Sequence, residues 1–471
     1  MVLLSTKIKV CGQNITSDHI NQNLLHIVKD KNNIIIMKYS KTLSDILEAE
    51  NQGSCFMASN TLSRKTLRKH LESRYLIEPY YGLYARREHW ENLWHNERIC
   101  HIATSLTQKI RIKEWKFTGE TAAALLGLDV VEEYSNQSKK INIYVSCPYA
   151  DKHTESTNQK DAIKLAKRQL KRIHLPDIIE DDNGIRLEDC HKKYNDAKLT
   201  ATSRAYTASN DSIMPLKTSE FGHVKDQKEN AINHVASIYN TLFVEAWTNT
   251  FKTALPTFDS AARNGMDLKK IYNTCIEFYK FARYQQSAQS FYNNEYFEKS
   301  QNPYFANIDE NDIFARLRIL CDFASSKSEN AGESLARAAM IELGFIKPYL
   351  QYEFPNNNNP DWPLRADFAW KVNGNLIVGE LDGTDKYLIS CGKNSDINIC
   401  NENSDTFIDG NASLNKNLIY DRDSVRRERD RERHIYDCGA SNIVRFDFAD
   451  VINPKSLEQK LLSAGVPKVH V

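Results

Sequence analysis

The chain has 471 residues, 41% hydrophobic and 26% charged, an ordinary globular composition whose length predicts about two to four domains. Its formal net charge of +1 excludes nucleic-acid binding through a global positive field, so any such binding must come from local patches. The ten cysteines include no CxxC pair, and the closest two, Cys391 and Cys400, lie nine residues apart; this argues against a zinc finger or disulfide scaffold and for a reducing cytoplasm.

Residues 1–41 alternate apolar and polar positions around Lys7–Cys11 and around Ile34–Met37, which fits strands in an N-terminal extension with no assigned role. The apolar run Ile34–Met37 is too short for a secretion signal or a membrane span, so no membrane association is expected.

Residues 42–150 change character. Leu43, Ile46 and Leu47 mark a short amphipathic helix, and a second begins near Leu62 with Leu67 and Leu71 on its apolar side. Two short strands follow around the turn Pro79-Tyr80-Tyr81-Gly82, the outline of a winged helix-turn-helix. Between Asn60 and Arg87 there are seven basic residues, Arg64, Lys65, Arg68, Lys69, Arg74, Arg86 and Arg87, against Glu72 and Glu78. Arg64, Lys65, Arg68 and Lys69 share one helix face opposite the leucines, as phosphate contacts from a recognition helix require. A solvated basic face is the plain alternative. The segment Phe117–Leu128 reads as a capped helix stopped by Gly127, with no phosphate-loop pattern, and a strand follows at Ile141–Val145.

Residues 151–304 form a mostly helical middle region. A helix is predicted over Lys160–His174, with Ile163, Ala166, Leu170 and Ile173 on one side and basic residues turned to solvent on the other. About 195–230 the composition is that of a mobile polar insertion. Two or three packed helices follow from Ile232 to Phe281, with Trp247 as core.

Residues 305–471 carry the chemistry. A helix opens at Gly332-Glu333 and ends near Gly344; Ala336, Ala339, Met340 and Leu343 form its packed stripe, and Glu333 points inward at its start. After a strand near Leu350–Phe354, Asn373-Gly374 between two apolar runs predicts a two-residue type I′ hairpin. That turn sets Val372 against Asn375, and counting back sets Ala369 against Val378, Asp367 against Glu380 and Arg365 against Asp382, all on one face. Opposed like charges are destabilising, and a hard divalent cation held by oxygen ligands would relieve them. Asp382 is either a third ligand or the partner of Arg365. A polar loop at about 389–417 leads to a highly charged helix, Asp421–Cys438, with six Arg and five Asp/Glu between Asp421 and Arg433, and then to a strand at Asn442–Phe448. Helix, strand, hairpin, helix, strand gives an α/β core with a mixed sheet.

The motifs ESLARA, LQYEF, RADFAW, LIVGELDG and VRRERDRE–VRFDF resemble the PD-(D/E)XK nuclease fold, in its branch related to Vsr-type endonucleases, over about Ala324–Leu461. LSRKTLRKHL, GLYARR and FTGETAAALLGL are similar to the winged-helix part of AbiEi-type antitoxins. The first resemblance implies Asp367 and Glu380 as ligands of Mg²⁺ (or Mn²⁺), Glu333, counted with the metal set, as the helix carboxylate that orients them or binds water, and Gln351 as the polar sheet residue. The last motif position, ordinarily Lys, is Asp382 here, so the basic group would come from Lys386, Arg427 or Arg431.

The expected protein is multidomain α/β: an N-terminal winged helix-turn-helix, a helical middle and a C-terminal PD-(D/E)XK-like α/β core with a mixed sheet. Its expected role is that of a bacterial cytoplasmic DNA-binding protein with a metal-dependent endonuclease domain. Catalysis would rest on Glu333, Asp367, Glu380, Asp382 and Lys386, and DNA binding on Arg64, Lys65, Arg68, Lys69, Arg86 and Arg87. The alternative is a non-enzymatic antitoxin-type transcriptional regulator with an inert nuclease fold and a cognate toxin as partner.

Overall fold

The structure, a computed structural model, describes residues 8–10, 13–15, 25–30, 33–38, 41–57, 64–107, 115–132, 141–147, 169–182, 184–188, 234–280, 302–306, 308–309, 312–356, 359, 361–382, 388–390, 418–420 and 422–469. The architecture is mixed α/β, in two compact units: residues 1–128 with 136–244, and residues 129–135 with 245–471. Among the described residues no helix is long and apolar enough to cross a membrane. The polar stretch at 195–230 and most of the 389–417 loop lie outside the described residues.

In the first unit the alternating N-terminal segments pair as hairpins, Ile8–Val10 with Gln13–Ile15 and Leu25–Asp30 with Asn33–Lys38. The chain then runs through helix Lys41–Asn51, strand Phe56–Met57, helix Arg64–Glu72 and hairpin Leu76–Tyr80/Leu83–Arg86. The three strands form one small sheet with Leu83–Arg86 at its centre. Leu67 and Leu71, one helical turn apart, dock the second helix against a core of Ile46, Phe56, Leu76 and Tyr84. The opposite helix face is thereby left outward. Helix Gly119–Leu125 stops where expected, with Gly127 at φ +74°, a conformation that glycine adopts at no steric cost.

The helix expected over 160–174 is corrected in part. Leu170–His174 is a strand, parallel to Ile143–Cys147 with Leu170 opposite Ile143, and residues 160–168 lie outside the described residues. The cause is local and tertiary together. Leu175 precedes Pro176, which disfavours helical backbone just there, and Ile143–Cys147 offers a row of backbone partners.

In the second unit, three helices (Phe251–Arg263, Ile313–Phe323 and Ala331–Glu342) are tied by one buried cation. Arg337 Nη2 lies 2.7 Å from Asp259 Oδ2, and its Nη1 donates to the Phe323 carbonyl at 2.7 Å. The sheet order is Tyr349–Phe354, Leu364–Val372, Asn375–Asp382, Ala440–Asp447. The first three strands are antiparallel; the last is parallel to Asn375–Asp382 and is reached through helix Arg422–Asp437, as a parallel crossover requires. One sheet face packs Phe368, Trp370, Ile377 and Phe446 with Leu335 and Met340 of the Ala331–Glu342 helix. The other packs Phe354, Ala366 and Val378 with Ile435 of the crossover helix. Asn373 and Gly374 sit at φ +49° and +84°, the two positive values a type I′ turn demands.

Trp370 is 1% exposed and donates Nε1–H to the Ile346 carbonyl at 3.0 Å. Replacing it by alanine empties the centre of the larger core and orphans that carbonyl. Urea unfolding followed by circular dichroism should show Trp370→Ala destabilised by about 3–5 kcal/mol.

Candidate functional site

The hairpin brings the predicted carboxylates to one region, with a register that departs from the simple count. Ladder pairs run from Val372–Asn375 through Ala369–Val378 to Phe368–Gly379 and end there. Asp367 and Glu380 are therefore not a ladder pair. The Asp367 carboxylate instead accepts the Leu381 backbone N–H at 2.9 Å, taking the place of a cross-strand carbonyl. Glu380 is 3% exposed and faces the crossover helix, where Arg431 Nη2 lies 2.9 Å from its Oε1. The same guanidinium donates to the Arg365 carbonyl, so it also holds the beginning of the neighbouring strand.

Glu333 sits in the first turn of the Ala331–Glu342 helix, 5% exposed. Asn330 caps that helix by accepting Glu333 N–H at 3.0 Å. The Glu333 carboxylate accepts from Glu329 N–H at 2.9 Å, Asn330 Nδ2 at 2.6 Å and Gln351 Nε2 at 3.0 Å. Gln351, named from the sequence as the polar sheet residue, holds a positive φ of +48° within its strand. Backbone strain of that kind persists only where the surroundings over-determine it, and such positions cluster at functional sites. Gly332 leaves no room for a side chain: a Cβ there would lie 2.7 Å from the Phe448 ring.

The expected pairing of Arg365 with Asp382 is replaced. Arg365 stands opposite Glu353, with ion pairs of 3.3 Å to Glu353 and 3.4 Å to Glu329. Asp382 is bound by Arg445, whose Nε lies 2.8 Å from Oδ2. The reason is the parallel strand: it sets Asp382 opposite Asp447 and Glu380 opposite Arg445, and Arg445 then reaches across to Asp382. Glu428 joins both cations, 2.8 Å from Arg445 and 3.3 Å from Arg431. A chain of alternating charge results: Glu380, Arg431, Glu428, Arg445, Asp382. Sequence reading missed the roles of Arg445 and Glu428: Arg445 lies 63 residues from the acid it binds, and Glu428 joins the network only through Arg431 on its own helix and Arg445 on the next strand. Lys386 lies outside the described residues.

Burial, chiefly, with a smaller push from the charge of Asp367, raises Glu333 and Glu380 from the ordinary 4.5 to about 7, against the lowering effect of the donors and of Arg431 around them. The three acids thus share one electrostatic environment. Among the described residues no group of three or more His, Cys, Asp or Glu side chains is gathered so as to hold a metal ion.

The other candidate set divides. Lys65, Arg68 and Lys69 are exposed on helix Arg64–Glu72, while the side chain of Arg64 lies outside the described residues. Arg86 is turned inward: its Nη2 lies 2.6 Å from the carboxylate of Glu50, a residue 7% exposed, and its own N–H donates to the same group at 2.9 Å. Arg87 donates Nε–H to the Arg74 carbonyl at 2.9 Å and pairs with Glu91 at 3.2 Å. The basic surface is therefore the helix face, with Arg86 holding the hairpin to the Lys41–Asn51 helix.

No family model, curated protein or solved structure matches the chain.

The folded protein keeps protons on Glu333 and Glu380 between about pH 4.5 and 7, where the unfolded chain has released them. Their contribution to stability is therefore present below that window and falls as pH rises through it. Urea titrations at pH 5 and pH 8 should show lower stability at pH 8, with part of the difference abolished in Glu333→Gln.

Proposed function

We propose that the protein binds DNA through the basic Arg64–Glu72 helix and hydrolyses DNA phosphodiester bonds at the Asp367–Glu380–Glu333 site with a divalent metal. The observation that carries this reading is two buried glutamates beside Asp367, each disfavoured in its charged form by burial and by that neighbour. Hard oxygen donors of this kind suit Mg²⁺, which is commonly held by one or two carboxylates with water and substrate phosphate in the remaining positions. Asp367 and Glu380 would hold it. When bound, the metal supplies an activated water and a counter-charge for the phosphate.

The residues of the chain have separate tasks in that reading. Asp367 is fixed by the Leu381 N–H, so its carboxylate is presented at a set angle. Glu333, held by three donors, orients a water from the helix side. Arg431 neutralises Glu380 and supplies the positive charge that the motif lysine would otherwise bring to the phosphate. Asp382, paired with Arg445, is a structural anchor for the strand end.

Incubating the protein with supercoiled plasmid and Mg²⁺ tests this. Wild type should nick the plasmid, and Asp367→Ala and Glu380→Ala should each reduce the rate at least about 100-fold. Equal nicking by all three proteins, or none by wild type, overturns the hydrolase reading.

One observation favours the regulator: Asp382 stands where the motif lysine is expected, and Arg445 engages it. A regulator would bind its upstream DNA in the presence of EDTA. Gel shifts should then be lost in a Lys65→Ala/Arg68→Ala variant and unchanged in Glu380→Ala.

A further inference from the structure

At the turn of the Leu76–Tyr80/Leu83–Arg86 hairpin, Tyr81 is 86% exposed, more than any other large hydrophobic side chain among the described residues. Its neighbours are not loose. Leu83, Tyr84 and Ala85 on the return strand are 0%, 8% and 1% exposed, so the hairpin is packed up to the turn itself. Three features hold and aim that turn. Gly82, at φ +70°, donates its N–H to the Glu78 carboxylate at 2.8 Å. The Pro79 carbonyl accepts from Nε2 of Gln169, itself 8% exposed, at 2.8 Å. Between Ile77 and Tyr80 the register slips, and an extra residue of this kind re-aims the side chains beyond it. A ring held outward on a braced turn loses little freedom when it meets a partner.

The charge around it says which partner. Helix Arg64–Glu72 docks on this same small sheet through Leu67 and Leu71 and turns Lys65, Arg68 and Lys69 outward. Those cations suit phosphates, which fix position and carry no sequence information; a π-face suits the bases. We propose that Tyr81 is a base-stacking wedge, inserted at a deformable step of duplex DNA held by the basic helix. The inference rests on the DNA-binding reading above and adds to it the residue that touches bases. Pyrimidine–purine steps, TA above all, unstack most easily and are the expected sites.

A fluorescein-labelled duplex of about 30 base pairs containing TA steps, and its twin with 2-aminopurine beside one of them, test the proposal by anisotropy and by base fluorescence. Wild type should bind and raise the 2-aminopurine signal. Tyr81→Ala should bind about tenfold more weakly and lose the rise, with the slope of affinity against salt unchanged, because no phosphate contact is removed. Tyr81→Trp should keep both affinity and signal. Lys65→Ala, by contrast, should flatten the salt slope. Wild-type binding that is indifferent to Tyr81→Ala, or an altered slope in that variant, overturns the wedge while leaving DNA binding in place. If wild type binds neither duplex, the DNA-binding reading falls and the wedge with it. Circular dichroism should show Tyr81→Ala folded, since the side chain is outside the packed core.

Discussion

A buried carboxylate is costly unless a cation or several donors compensate it, and the second unit is arranged around that demand. Bringing an ion out of water costs several kcal/mol, of which a well-placed partner recovers much. Here the compensation runs through five residues of alternating sign, from Glu380 to Arg431, Glu428, Arg445 and Asp382. All links but Arg431–Glu428, which lies within the crossover helix, join different elements. Arg431 ties the central strand to the crossover helix, Glu428 ties that helix to the last strand, and Arg445 ties the last strand back to the end of the central one. Removing any one member would leave its neighbours charged and underpartnered, so the network couples the strand end to the helix across it.

Glu333 is treated differently. Its carboxylate is held by three hydrogen-bond donors, from backbone, cap and strand. One of those donors, Gln351, is held in a backbone conformation that ordinary side chains seldom adopt. A strand residue with positive φ is kept only where the surrounding pairs over-determine it, as Leu350–Phe368 and Tyr352–Ala366 do on either side. The site thus combines one acid matched by charge and one matched by neutral dipoles. Acids in unlike surroundings are suited to unlike tasks.

Much of this was legible in the sequence because it depended on short-range rules. Asn-Gly fixed the reversal, alternation set the faces, and the alanine stripe of Ala331–Glu342 turned Glu333 inward. What failed needed information from far along the chain. Arg445 lies 63 residues from Asp382, a separation at which no periodicity links the partners; Arg431, 51 residues from Glu380, enters the sequence reading only as one of three candidate basic groups, through the resemblance and not through spacing. The hairpin count failed at its last steps for a related reason. A side-chain acceptor on Asp367 displaced the ladder bond, and a parallel neighbour claimed Glu380 and Asp382. Leu170–His174 shows the same limit, because apolar spacing that fits a helix was overruled by an available strand edge.

The overall charge balance of 62 basic against 61 acidic residues conceals a separation with physical consequences. In the second unit Glu353, Glu380 and Asp382 are met by arginines from later elements, Arg365, Arg431 and Arg445, which confines their field. On the helix Arg64–Glu72 the reverse holds: Lys65, Arg68 and Lys69 are exposed, and the nearby arginine that is fully paired, Arg86, turns inward to Glu50. Screening confines an exposed cluster of three charges to about 8–10 Å at physiological salt. Such a cluster acts only at contact distance and cannot draw a distant polyanion. Recognition built on it must gain its selectivity from shape and from neutral contacts, which gives the braced aromatic turn beside the helix a role that the net charge would never suggest.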